Sequence, residues 1–73
     1  MPLVNVQILE NVFTPEQKQQ IITKLTDTMV SIEGEAFRGV TWVKIDDVKE
    51  GNWGMGGQAL HARDVHRMKK AGV

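Results

Sequence analysis

The chain of 73 residues balances nine Lys and Arg against nine Asp and Glu, for a formal net charge of zero, and contains no cysteine. Charge neutrality argues against nucleic-acid binding, which draws its affinity from neutralised phosphates, and the missing thiols exclude disulfides and thiolate metal sites. A lone domain of this length buries only about 60% of the surface its unfolded chain exposes, so with neither staple the expectation is a homo-oligomer.

Taken in order, residues 3–9 alternate Val4, Val6 and Ile8 with Asn5 and Gln7, the period-two pattern of a half-buried strand. A short connection, Glu10 to Phe13, leads to Thr14 as a helix N-cap, with Pro15 at the first helical position and Gln17 completing a capping box. Ile21, Ile22, Leu25, Met29 and Ile32 then recur at helical spacing and predict a core-facing stripe, with Gly34 ending the helix as its C′ residue. Residues 40–46 alternate again, with Thr41, Val43 and Ile45 on one face and Val40, Trp42, Lys44 and Asp46 on the other. A helix between two strands of about 23 Å returns the chain beside its start, which predicts an α/β (α+β) fold: a β-α-β unit with a parallel strand pair. Four glycines within GNWGMGG, residues 51–57, mark a turn or short C-terminal hairpin. Residues 61–73 form a polar tail, and a short helix from Ala59 to Ala71 has only the thin apolar stripe of Leu60, Val65 and Met68. All 73 residues make a single domain whose two-stranded sheet other copies of the chain must complete.

The candidate chemistry starts at Pro2. Processing that removes Met1 would expose a secondary amine at the head of a buried strand. Ordinary α-amino groups titrate near about 7.7–8.0, and desolvation favours the neutral form that a general base needs. Pro2 can equally be a residue that simply opens an edge strand. His61 and His66, five apart, do not stack on a helix as a metal pair would. Asp46, Asp47 and Glu50 read as a solvated strand end rather than a cation site. The glycine segment lacks the Lys-Ser/Thr ending of a phosphate loop. No metal or cofactor is implied. No apolar run nears the ~20 residues of a membrane span, and the N-terminus lacks the basic and apolar regions of a signal peptide. These features point to a cytoplasmic protein with no membrane or nucleic-acid partner.

Three segments carry a resemblance over residues 2 to about 60: the start MPLVNVQILE, the helix TPEQKQQIITKLTDTM with Glu16-Gln17-Lys18 near its opening, and GNWGMGG. In this order and spacing they resemble the 4-oxalocrotonate tautomerase family. The resemblance implies β-α-β subunits assembled as homohexamers, Pro2 as catalytic base, and Trp53 as the aromatic residue that keeps the pocket apolar. It also implies two substrate-binding arginines, whose places fall at Asn11 or Val12 and at Trp42. Their absence puts a dicarboxylate substrate in doubt, since a bidentate guanidinium is not easily replaced. Lys44, on the same strand face as Trp42, is the first substitute cation, with Arg38 from a neighbouring subunit as the second. Trp42 beside Trp53 would favour an apolar or aromatic substrate. The implied reaction moves a proton in a small enol or α-keto acid. The alternatives are a dehalogenase or hydratase, with Glu10 or Asp46 activating water, and a non-catalytic or hetero-oligomeric subunit.

Overall fold

Alternation of Val4, Val6 and Ile8 with Leu3, Asn5 and Gln7 produces the first strand, β1 (Leu3–Leu9), half-buried on the valine side and open on the other. The computed structural model describes residues 2–70; the expected loss of Met1 and the end of the tail, 71–73, lie outside them. Helix α1 (Pro15–Glu33) begins on the expected capping box. The Gln17 amide donates to Thr14 Oγ1 at 3.1 Å, and the Thr14 amide donates to Gln17 Oε1 at 2.9 Å. Gly34 closes the helix at φ 107°, its amide donating to the Val30 carbonyl at 2.8 Å.

The second strand, β2 (Trp42–Val48), starts two residues later than the alternation suggests. Residues Glu35–Val40 wind instead into a 3-10 segment, and the Thr41 amide donates to the Arg38 carbonyl at 3.3 Å. Pairing is parallel, with Leu3 opposite Trp42 and Leu9 opposite Val48, so β2 runs on through Asp47 and Val48. The stripe on α1 is also corrected at two positions: Ile32 is 79% exposed, and Val30, outside the expected stripe, is buried. Val30 in the same turn is buried, so the last turn stays against the fold and Ile32 points away from its covered face.

Two-residue strands β3 (Gly54–Met55) and β4 (Gln58–Ala59) form the expected hairpin. Both residues of its turn, Gly56 and Gly57, have positive φ, the backbone of a type I′ turn. Helix α2 (Ala62–Lys70) follows. Leu9, Val12 and Ala62 make a small buried cluster, against which Phe13, Trp53, Leu60 and Val65 pack.

Much apolar surface is left over. Leu3, Phe37, Val40 and Trp42 are all 42% or more exposed. The accessible surface is 5383 Å², against about 4,500 Å² for a self-contained monomer of this mass. The radius of gyration is 15.0 Å, where a compact chain of this length has about 11 Å. No helix among the described residues is long and apolar enough to cross a membrane.

Candidate active site

Parallel strands bring their heads together, and this assembles one group of the expected site residues. Pro2 is half-buried and its carbonyl accepts the Trp42 amide at 3.0 Å, locking the N-terminal segment to the start of β2. Trp42 is 57% exposed and lies on the same open face as Lys44. Lys44 is paired in register with Asn5, and its Nζ lies 3.6 Å from Asp46 Oδ1. The 3-10 segment carries Arg38 to this same end of the sheet. Its guanidinium is committed locally, donating to Glu35 and Asp27 at 2.8 Å each. Those hydrogen bonds, Glu35 first and Asp27 second, hold Arg38 above its ordinary value, and the one from Arg38 holds Glu35 below its own.

Trp53 lies elsewhere. It packs on the cluster of Leu9, Val12 and Ala62 beyond the far end of β1. From Pro2 to Leu9 the strand rises about 23 Å. Within one chain, then, Trp53 meets neither Pro2 nor Trp42, and the expected pairing of the two tryptophans does not form. At its own end, Trp53 helps line an open apolar groove of about 390 Å³, with Val12, Phe13, Met55, Leu60 and Val65.

The same far end holds a polar network that sequence reading missed. Glu50 is no solvated strand end: its carboxylate accepts from the Ala62 amide, the first turn of α2, and from Asn11 Nδ2 at 3.0 Å. Glu50's own amide donates to Glu10 Oε1 at 3.1 Å. The Ala62 amide most of all, then Asn11, keeps the Glu50 carboxyl below its usual range. Asp47 is likewise engaged, 2.9 Å from Lys18 on α1. His66, expected to face solvent, is exposed but places Nε2 3.2 Å from the Asn11 carbonyl. A carbonyl can only accept, so Nε2 carries the proton. These contacts span 12 to 55 residues of sequence; the only local signal was Asn11 just after a strand, where its φ of 66° suits asparagine. Among the described residues no three His, Asp or Glu side chains cluster as metal ligands.

The geometry is thus a β-α-β subunit with Pro2 at one end of its sheet and an aromatic-lined groove at the other. Comparison with known proteins gives it a family. The family model of the tautomerase enzymes matches residues 2–63. Probable tautomerase K2 of Dickeya dadantii (strain 3937) is 40% identical over 63 residues, 86% of this chain and 92% of that protein. A structure from work on the 4-oxalocrotonate tautomerase isozymes of Methylibium petroleiphilum superposes with a TM-score of 0.72 at 31% identity, covering 88% of this chain and 97% of that one. The crystal structure of DmpI from Helicobacter pylori gives 0.68 at 33% identity, covering 82% and 97%. Sequence and fold agree over nearly the whole of both partners, and the chain belongs to the tautomerase family, as an isomerase of the 4-oxalocrotonate tautomerase type.

Proposed function

We propose that the chain moves a proton between carbon and oxygen in a small enol or α-keto acid, with the secondary amine of Pro2, freed by removal of Met1, as general base. The observation that carries this reading is the placement of Pro2, half-buried at the head of β1 and fixed to Trp42. An amine there is partly desolvated, which favours its neutral form and lets it accept a proton. Trp42 supplies apolar cover within the same chain, and Lys44 stands about 7 Å further along β2 as a cation for a developing enolate. Arg38 would serve only by leaving Asp27 and Glu35.

Trp53 joins such a site only from another copy of the chain. Open strand edges, the exposed face of Leu3 and Trp42 and the exposed Ile32 all support a homo-oligomer. We take it to be a homohexamer, the state the family resemblance implies, working in the cytoplasm. No cofactor enters the scheme.

The test uses the purified protein. Its intact mass should show Met1 absent, and it should ketonise phenylenolpyruvate. Pro2→Ala, which exchanges the prolyl ring amine for a primary α-amine, should lower kcat/KM by about a hundredfold, within the range a general base contributes. Retained Met1, or unchanged activity in Pro2→Ala, refutes the proline mechanism.

A further inference from the structure

The apolar groove beside Trp53 has a lining that limits what can enter it. Of the described residues around it only Gln7 is polar, and none is charged. Its volume of about 390 Å³ lies at the small end of small-molecule pockets, roughly 300–1,000 Å³, and exceeds the roughly 150 Å³ that suffice for benzene. A ring entering it leaves water at no polar cost, whereas a carboxylate would be desolvated without gaining an ionic partner. Lys69 sits over the Phe13 ring, 6.0 Å from its centroid, but does not line the groove.

One wall of the groove lies outside the part of the chain shared with the family model. Among the described lining residues, Val65 alone falls beyond residue 63, where the family match ends. Three positions after Ala62, Val65 shares its face of α2, and both pack with Leu9 and Val12. The helix is anchored on either side of Val65. The Ala62 amide donates to the Glu50 carboxylate, and His66 Nε2 lies 3.2 Å from the Asn11 carbonyl. Val65 is partly buried between these anchors, and a β-branched side chain is stiff about its first torsion. A wall held in this way discriminates by size, where a mobile one would give.

We infer that Val65 is a specificity-determining residue: with Trp53 and Leu60 it walls a groove that takes an uncharged, apolar end of the substrate and refuses a second carboxylate. The inference rests on the proposed function, because the groove serves the reaction only where it meets Pro2 of another copy. It makes the substrate an enol monocarboxylate with a body of about one ring. That class accords with the absence of arginine at Asn11, Val12 and Trp42.

Three acids that carry neither enol nor ketone read the groove without catalysis: propanoate, 3-phenylpropanoate and 3-(4-carboxyphenyl)propanoate. Titrated into the intact oligomer and followed by NMR, 3-phenylpropanoate should bind at least about tenfold more tightly than either of the others, the scale of a buried ring and of an unpaired buried charge. It should also shift the Trp53 indole and Val65 methyl resonances. Val65→Phe fills the groove and should weaken 3-phenylpropanoate about tenfold while propanoate binds as before. In the same variant the KM for phenylenolpyruvate should rise with little change in kcat. Val65→Ala adds no bulk, and should shift the preference between 3-(2-naphthyl)propanoate and 3-phenylpropanoate toward the larger ring by about threefold or more. Affinity for 3-phenylpropanoate no higher than for either other acid, or preferences that neither Val65 variant alters, overturns the inference. Binding of these acids involves no proton transfer, so the kinetics of Pro2→Ala decide the proline mechanism separately.

Discussion

Separation of Pro2 from Trp53 by the length of β1 makes a quantitative prediction about mixed oligomers. Pro2→Ala exchanges the secondary prolyl amine for a primary α-amine without the ring that positions it, a poorer base; Trp53→Leu keeps apolar bulk on the Leu9 and Val12 cluster but removes the indole. Without the ring the partner's prolyl amine is better hydrated, and each unit of upward pKa shift leaves about ten times less neutral amine at pH 7. Both variants alone should therefore be poor catalysts. Unfolding them together in equal amounts and refolding gives randomly mixed assemblies. If a site takes Pro2 from one chain and Trp53 from another, about one site in four has both intact, so activity should return to about a quarter of the unaltered level. If both residues acted within one chain, every site would stay defective and nothing would return. Native mass spectrometry establishes the mixing, and phenylenolpyruvate turnover reads the sites. Fully mixed oligomers no more active than their parents would refute the shared site, and full activity in Trp53→Leu alone would remove Trp53 from it.

The fold itself offers two further tests. Thr14→Ala removes one half of the capping box and should cost about 1 kcal/mol, seen as a lower urea midpoint at fixed protein concentration. Glu50→Gln should show a distinct pH dependence. The fold holds this carboxyl below its usual value near 4.5, so its ionised form stabilises the native state. That contribution is complete above the unfolded value and is lost as the pH falls through the folded one. The midpoints of the unaltered protein and Glu50→Gln should therefore differ near pH 7 and converge as the pH drops below about 4. A gap that persists unchanged to pH 3 would show that the charge on Glu50 is not what secures α2.

What the sequence revealed and what it hid follow from the range of the interactions. The Thr14 cap, the Val4–Val6–Ile8 alternation and the hairpin turn are set within a few residues and were legible. The start of β2 was misplaced because Val40 and Thr41 continue the strand alternation, although the backbone there closes a 3-10 turn. Ile32 continues the apolar spacing of α1, but the covered face is the one that carries Val30, and spacing does not say which flank of an apolar stripe is covered. The site divides in the same way. Pro2 was visible through the pattern around it. The links among Asn11, Glu50, Ala62 and His66 join residues far apart in sequence, and no local pattern announces them.

The topology also explains why the chemistry is divided. In a β-α-β unit the two parallel strands start at one end, so the N-terminus and the head of β2 are neighbours by necessity. Everything that follows β2, here Trp53, the hairpin and α2, must begin at the opposite end. In this chain they stay there, with Trp53, Leu60 and Val65 packed against Leu9, Val12 and Ala62. On the proposed reading, then, Pro2 and the groove built after β2 form one site between copies of the chain. Five of the exposed large apolar residues lie at the Pro2 end as well, Leu3 and Trp42 at the strand heads and Ile32, Phe37 and Val40 just before β2, while Met55 and Met68 lie at the other. On that reading, covering that surface also completes the site.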